Sequence, residues 1–249
     1  MRDFYEKTIG VIVPSSDVNI EAAYHRFCPP EFAIATNRIA FNKISLQTLE
    51  DMLLQTERAG KDLCHVEPDI LISSSLTIGC FRDSALQNVV EQYTGVPCLT
   101  ALMALIHLLQ QFGFCRIALL TPYQEDINIL FKSTLMRQGV NVCYTKQLMK
   151  QNGQALQSIR DIQELSWEEI WNQLDIEMLR SSGADVLLFG ASGLQGMEHI
   201  PEMEEMLGMP VLLAEQFTLL YALELLGEYR KLPALGWIFQ QEPAVIGRR

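Results

Sequence analysis

The sequence predicts an α/β protein with two parallel sheets. Short apolar runs suited to buried strands alternate with helical patterns, and alternation of this kind gives parallel sheets covered by helices on both faces. The runs of the first half return in the same order in the second, offset by about half of the 249 residues. We therefore expect two pseudo-symmetric, Rossmann-like (flavodoxin-like) halves with an active-site cleft between them.

Three pairs of segments carry this repeat, and each member ends in turn-forming, small or hydroxylic residues. The pairs are residues 8–15 with 116–123, 68–75 with 184–191, and 95–101 with 208–214. The members of the third pair share a Gly-x-Pro turn that leads into a short strand and then a helix. Three matches in one order indicate a duplication.

The other segments predict helices and connections. Ser45 precedes a long amphipathic stretch of leucines, and Ser166 opens a capping box with Glu169. Residues 146–165 are polar and predict a lid or excursion, and the chain from residue 231 predicts a tail across the surface. We expect residues 1–100 plus 215–249 to form the first half and residues 101–214 the second.

Composition and motifs exclude several classes of partner. A net charge of -11 argues against nucleic acid as a partner.

The apolar stretches are too short or too interrupted for a membrane span, and the first residues lack the apolar core of a signal peptide, so we expect a cytoplasmic protein. The cysteines form no C-x-x-C pair, the histidines are isolated and glycine-rich phosphate motifs are missing, so we expect no metal and no cofactor. Whether the protein is a monomer or a homo-oligomer stays open.

Four predicted strand ends supply the candidate ligand site, because the carboxyl ends of parallel strands meet at one edge of a sheet. Hydroxyls and backbone amides dominate these ends, which suits the binding of a small carboxylate. The four ends are Pro14-Ser15-Ser16-Asp17, Ser73-Ser74-Ser75, Thr121-Pro122-Tyr123 and Gly190-Ala191-Ser192-Gly193.

These loops resemble the aspartate/glutamate racemase superfamily, and within it the arylmalonate decarboxylase and maleate isomerase branch. The resemblance covers nearly the whole chain. It is carried by Ile9-Gly10-Val11-Ile12-Val13-Pro14-Ser15-Ser16, by Thr121-Pro122-Tyr123, by Phe81-Arg82, and by Ile200-Pro201-Glu202 with Leu207-Gly208-Met209-Pro210-Val211. Maleate isomerases continue the first of these motifs with asparagine, where this chain has Asp17.

The resemblance implies chemistry beside a carboxylate, with catalytic cysteines at one or both of two facing positions. Alignment through Phe81-Arg82 places Ser75 at the first cysteine position, and counting back from Ile200-Pro201 places Ala191 at the second. The substrate-binding residues it implies are Pro14, Ser15, Ser16, Asp17, Leu76, Thr77, Tyr123, Ser192 and Gly193. Leu76 replaces a hydroxyl of the decarboxylase pocket.

Three explanations account for the missing thiols. In the first explanation, Cys80 in Gly79-Cys80-Phe81-Arg82-Asp83 is the catalytic nucleophile. A structural cysteine near a helix start fits the same residues. Alternatively, a native cysteine at position 191 has been replaced by alanine. In the third explanation, the chain is a non-catalytic relative that only binds a small acid.

The sequence therefore predicts a cofactor-independent enzyme, either a decarboxylase (a carbon–carbon lyase) or an isomerase or racemase, acting on a small mono- or dicarboxylic acid. The alternative is a binding protein without turnover.

Overall fold

Two four-stranded parallel sheets form the framework of the protein. The computed structural model describes residues 5–41 and 45–241, and the side chains of residues 46, 82–86 and 89 lie outside this description. The first sheet has the order β2-β1-β3-β4 and the second β6-β5-β7-β8. The strands are β1 (Lys7–Pro14), β2 (Phe32–Ile39), β3 (Ile70–Ser73), β4 (Cys98–Thr100), β5 (Arg116–Thr121), β6 (Asn141–Gln147), β7 (Val186–Phe189) and β8 (Val211–Leu212).

The predicted repeat is confirmed at the level of strand pairing. In the first sheet β1 pairs with β3 through Ile9 and Ile70, and in the second β5 pairs with β7 through Ile117 and Val186. The short strands β4 and β8 then pair with β3 and β7 in the same way. The two halves thus share one topology, and the predicted α/β fold class is confirmed.

Helices connect the strands and cover the sheets. Ten α-helices lie in the described part of the chain: α1 (Asn19–Phe27), α2 (Leu46–Leu63), α3 (Leu76–Thr94), α4 (Ala101–Phe112), α5 (Glu125–Arg137), α6 (Ile159–Gln163), α7 (Trp167–Trp171), α8 (Ile176–Ser181), α9 (Ile200–Leu207) and α10 (Ala214–Leu225). Both predicted helix starts are confirmed. Ser45 forms a capping box with Thr48 at α2, and Ser166 forms one with Glu169 at α7.

The Gly-x-Pro turns of the third repeat begin with matching glycines. Gly95 ends α3 and Gly208 ends α9, and each has a φ of 70° in the left-handed region. Glycine adopts this conformation without a steric penalty, so each helix stops and the chain turns into the next strand. The same residue therefore performs the same task in both halves.

Two parts of the chain differ from the sequence prediction. The edge strands β2 and β6 were not predicted, because most of their side chains are half-exposed and form no continuous apolar run. The surface tail predicted from residue 231 is wrong for its described part: Leu235, Ile238 and Phe239 are almost fully buried in short 3-10 helices. Residues 242–249 lie outside the described residues.

Helix α10 lies beside the first sheet although it follows the last strand of the second. It packs against α4, α1, β3 and β4. The contacts with α1, β3 and β4 group α10 with residues 1–100, and α4 packs against α3 and β4 as well. We propose residues 1–100 plus 215–249 and residues 101–214 as the two halves. No helix in the described part of the chain has the length and apolar character needed to cross a bilayer.

Candidate active site

The strand-end loops of the two halves contact one another directly. The hydroxyl of Thr77, on the first turn of α3, donates to the Tyr123 hydroxyl after β5 at 2.6 Å, and both side chains are buried. The Ser192 hydroxyl after β7 donates to the Ser74 carbonyl at 2.6 Å and accepts from the Leu76 amide at 3.2 Å. Hydroxyls from both halves therefore meet at the amino terminus of α3.

Ser75 is the N-cap of α3. Its hydroxyl accepts from the Ile78 amide at 3.3 Å, and its exposed fraction is 9%. A helix amino terminus favours negative charge, because its first amides point outward and the helix dipole is positive there. The predicted position Ser75 thus lies where an anion would be stabilised.

The loop after β1 reaches the second half through Asp17 and Asn19. Asn19 Nδ2 donates to the Gly193 carbonyl at 2.8 Å. Asp17 lies against the same glycine, since a Cβ added to Gly193 would collide with Asp17 Oδ2. Gly193 has a φ of 80°, so a side chain there would also strain the backbone. The predicted residues Asp17 and Gly193 are thus in contact across the two halves.

Glu215, at the start of α10, is a site residue that the sequence analysis missed. Its Oε1 accepts from the Gly193 amide at 2.6 Å, and the side chain is buried. In the third repeat it comes directly after Ala214, where the first half has Leu102 after Ala101. An acidic residue in place of leucine, within an otherwise apolar match, is the signal that could have found it.

Burial shifts the pKa of both carboxyls beside Gly193. It raises the pKa of Asp17 to about 6, against the opposing effect of the Ile20 and Asn19 amides that donate to this carboxylate. Burial raises the pKa of Glu215 to about 8, opposed by the Gly193 amide that donates to this carboxyl and assisted by the nearby Asp17 charge. At neutral pH, Asp17 is mostly ionised and Glu215 mostly protonated. One carboxylate and one carboxylic acid in adjacent positions are the usual partners in general acid–base chemistry.

Burial also raises the pKa of Tyr123 well above its ordinary value, although the Thr77 hydroxyl opposes this change. Its phenol therefore stays protonated and can donate a hydrogen bond at any physiological pH.

Three of the predicted binding residues, Pro14, Ser15 and Ser16, lie in the site loops and form hydrogen bonds within the first half. The Ser15 hydroxyl accepts from the Phe41 amide and the Ser16 hydroxyl donates to the Phe41 carbonyl, so both bind the chain after β2. Pro14 is the buried last residue of β1, and its carbonyl accepts from the Asp17 amide. They shape the first loop, whereas Asp17 reaches the second half.

The predicted cysteine positions and the alternative thiol have different environments. Ala191 is fully buried after β7, and the neighbouring Ser192 carries the hydroxyl that reaches the Ser75 loop. Cys80 lies on the second turn of α3, is 4% exposed and interacts electrostatically with Tyr123. Phe81 is half-buried, and the side chain of Arg82 lies outside the described residues.

The polar excursion at residues 146–165 includes the end of β6 and the short helix α6, and it contacts the first half. Gln163 Oε1 accepts from the Val18 amide at 3.3 Å. The Gln195 side chain, two residues beyond Gly193, donates to the Gln163 carbonyl at 2.8 Å. The excursion thus borders the cleft beside Asp17.

The sequence of this chain matches the model of a protein family. A family model described as arylmalonate decarboxylase matches residues 9–239, which is most of the chain. The chain belongs to the arylmalonate decarboxylase family. The resemblance seen in the sequence is thereby confirmed.

Two known proteins and one solved structure are similar to this chain over nearly its whole length. Maleate isomerase from Alcaligenes faecalis is 24% identical, covering 92% of this chain and 95% of that protein. Arylmalonate decarboxylase from Bordetella bronchiseptica is also 24% identical, covering 97% and 100%. A mutant maleate cis-trans isomerase from Nocardia farcinica, solved with a covalently bound succinylcysteine intermediate, superposes with a TM-score of 0.83 at 20% identity, covering 95% of this chain and 99% of that one.

Proposed function

We propose that this protein is a cofactor-independent decarboxylase or isomerase of a small carboxylic acid, with a site built from the loops of both halves. The observation that carries the proposal is the buried hydrogen bond of 2.6 Å between Thr77 and Tyr123, at the amino terminus of α3. Two hydroxyls from opposite halves at a helix amino terminus suit a carboxylate. Membership of a family that contains decarboxylases and isomerases supports the chemistry.

The same donors explain how such a site accelerates the reaction. Loss of carbon dioxide or of a proton beside a carboxylate places additional negative charge on the carboxylate oxygens. Donors held beside these oxygens stabilise the charge as it develops. Thr77, Tyr123 and the Leu76 amide are the groups we assign to this role. A substrate carboxylate would take the place of the Tyr123 oxygen as acceptor of the Thr77 hydroxyl, and of the Ser192 hydroxyl as acceptor of the Leu76 amide.

The proposal predicts that Thr77→Val and Tyr123→Phe weaken the binding of small acids. Each substitution removes one hydroxyl at nearly constant volume, and the loss of a hydrogen bond to a charged group costs about 1.5–3 kcal/mol. Thermal unfolding with a panel of acids such as malonate, maleate and succinate measures the binding. We expect the unmodified protein to gain stability with at least one acid and both variants to lose most of that gain.

Ser133→Ala is the matched control, because it removes a half-buried hydroxyl that donates to the Leu130 carbonyl within α5. If no acid in the panel raises the melting temperature of the unmodified protein, the proposed function is wrong.

We also propose that Ser192, rather than Ala191, occupies the position facing Ser75. Its hydroxyl bonds to two groups of the Ser75 loop, whereas the Ala191 methyl group is fully buried. This assignment needs no replaced cysteine at position 191. It leaves Cys80 as the thiol of the site, beside Tyr123, and a binding protein without turnover as the second candidate function.

Cysteine substitutions test this assignment. Ser192→Cys should create or raise turnover of an acid that binds, because it places a thiol opposite Ser75. Ala191→Cys should add no turnover and should lower stability by about 1–3 kcal/mol, because it adds an atom to a fully packed position. Product formation is followed by NMR, with Cys80→Ser tested in parallel.

Turnover gained by Ala191→Cys alone would contradict the assignment of Ser192. Binding without turnover in the unmodified protein and in every cysteine variant would favour the binding protein.

A further inference from the structure

The backbone of Tyr123 is held by a closed ring of three buried hydrogen bonds. The Tyr123 amide donates to the Thr121 hydroxyl at 3.3 Å, and that hydroxyl donates to Asn128 Oδ1 at 2.6 Å. Asn128 Nδ2 then donates back to the Tyr123 carbonyl at 2.9 Å. Thr121 is fully buried, and Asn128 on α5 is 3% exposed. Both polar groups of the Tyr123 backbone are therefore bound by this threonine and this asparagine.

The direction of each bond in the ring follows from the chemistry of its groups. A backbone carbonyl only accepts, so the Tyr123 carbonyl requires the amide nitrogen of Asn128, which places Oδ1 towards Thr121. The Thr121 hydroxyl accepts from the Tyr123 amide and has its own proton left for Oδ1. An apolar side chain at position 128 would form neither bond, and a buried carbonyl without a partner is costly. The ring requires a side chain with one donor and one acceptor, which asparagine supplies.

The same face of α5 packs against the Tyr123 ring and contacts the first half. Phe131, one turn beyond Asn128, stacks on the Tyr123 ring with the two centroids 6.5 Å apart. Thr134, a further turn along, donates to the Cys80 carbonyl of α3 at 3.2 Å. Residues three apart lie on one face of a helix, and these three side chains are buried. Helix α5 thus holds both the backbone and the ring of Tyr123, and it is itself tied to α3.

These contacts determine where the Tyr123 hydroxyl lies. The hydroxyl meets that of Thr77 at 2.6 Å, and a hydrogen bond weakens steeply when its atoms leave their alignment. Because the phenol oxygen is at the far end of the side chain, a rotation of the Tyr123 backbone displaces it more than the rest of the residue. Loss of the hydrogen-bonded ring would permit that rotation.

We propose that Asn128 is a positioning residue of the site: through Thr121 and the Tyr123 backbone, it holds the Tyr123 hydroxyl against Thr77. The inference rests on the proposed function, because Thr77 and Tyr123 are the hydroxyls assigned there to the substrate carboxylate. In this role Asn128 acts on the substrate only through Tyr123. Its effect on acid binding therefore requires the Tyr123 hydroxyl.

NMR of protein carrying isotope-labelled tyrosine tests the positioning without a ligand. The Tyr123 Cζ resonance reports the hydrogen bonding of the phenol oxygen, and Tyr123→Phe identifies this signal because the variant lacks it. Thr77→Val shows where the signal lies when the bond to Thr77 is lost. We expect Asn128→Leu, which keeps the shape of the side chain without its polar atoms, to move the signal in the same direction as Thr77→Val.

A double-mutant cycle on the affinity for an acid tests the consequence for binding. NMR titration with malonate, maleate and succinate measures the dissociation constants, and the acid that binds most tightly is used. We expect Asn128→Leu to weaken binding by about fivefold or more, since a misaligned hydrogen bond to a charged group loses most of its strength. In the Tyr123→Phe background the same substitution should weaken binding by less than about twofold, because the hydroxyl that Asn128 positions is absent.

Variants of Thr121 repeat the test at a second point of the ring. Thr121→Val removes the hydroxyl at nearly constant volume and should reproduce the effects of Asn128→Leu, so it decides the question if Asn128→Leu does not fold. Thr121→Ser keeps the hydroxyl and should recover most of the affinity that Thr121→Val loses. Thr56→Val is the matched control, because it removes a fully buried hydroxyl that donates to the Met52 carbonyl within α2. It should lower stability and change neither the Tyr123 signal nor the affinity.

A Tyr123 signal that keeps its position in folded Asn128→Leu and Thr121→Val would overturn this inference and leave the proposed function standing. An equal loss of affinity with and without the Tyr123 hydroxyl would also overturn it, since Asn128 would then act on the site by another route. If none of the three acids binds to the unmodified protein, the proposed function is contradicted, and the Tyr123 signal alone decides whether Asn128 positions the phenol.

Discussion

Gly193 is the residue at which the contacts between the halves converge. Its carbonyl accepts from Asn19, its amide donates to Glu215, and its Cα lies against Asp17. With a φ of 80° and no space for a side chain, the position requires glycine. The sequence analysis placed Gly193 in the site for its close backbone approach, but it assigned no partner, because the groups it contacts lie 22 to 176 residues away in the chain.

The buried Glu215 should make the stability of the protein fall as pH rises. Its pKa is about 8 in the folded protein against 4.5 ordinarily, so between these values the folded state holds a proton that the unfolded chain has lost. The free energy of unfolding then decreases by up to about 1.4 kcal/mol per pH unit. Asp17 adds a further decrease in the free energy of unfolding between pH 3.8 and about pH 6.

Glu215→Gln should remove the decrease between pH 6 and 8 and leave only the Asp17 contribution below pH 6. Urea unfolding at pH 5, 6, 7 and 8 measures it, with the exposed Glu205→Gln as control. An unchanged slope between pH 6 and 8 in the Glu215 variant would show that this carboxyl is not the group responsible.

At the scale of elements, helix ends were predictable where one residue type determines the local geometry. Ser45 and Ser166 marked helix starts because a serine hydroxyl can accept from the first amides, and both cap their helices. Strands β2 and β6 escaped prediction because an edge strand exposes one side and carries polar residues such as Asn37 and Lys146. Their positions are determined by pairing with β1 and β5, which a local pattern does not reveal.

The matched glycines at the ends of α3 and α9 predict equal energetic roles in the two halves. Gly95→Ala and Gly208→Ala should each lower the free energy of unfolding by about 1–2 kcal/mol, the cost of a left-handed alanine. No atom lies within 4 Å of a Cβ added at either position, so conformation alone contributes.

Chemical denaturation measures both values. Gly95→Asn and Gly208→Asn should recover part of the loss, because asparagine tolerates the left-handed region better. A loss several times larger at one glycine than at the other would contradict equal roles.

For the whole molecule, the sequence predicted the duplicated sheets and the site between them, because buried strands and their terminal loops leave strong local patterns. Tyr123, Thr77 and Ser192 were named in advance and lie together. Gln163 and Glu215 were not, since their roles depend on contacts between distant segments. The described end of the chain was also misjudged, because Ile238 and Phe239 are buried in a segment without helical or strand periodicity.

Helices α4 and α10 follow the corresponding strands β4 and β8 and pack against each other. The two connections between the halves therefore run side by side. We expect any separation of the loops around Gly193 to be a rotation about this helix pair, because a translation would disrupt its packing. Spectroscopic labels placed across the loops would move apart when a ligand enters, whereas labels on the two helices would keep their distance. If the labels behave in this way, the duplication supplies both the site and the axis about which that site opens.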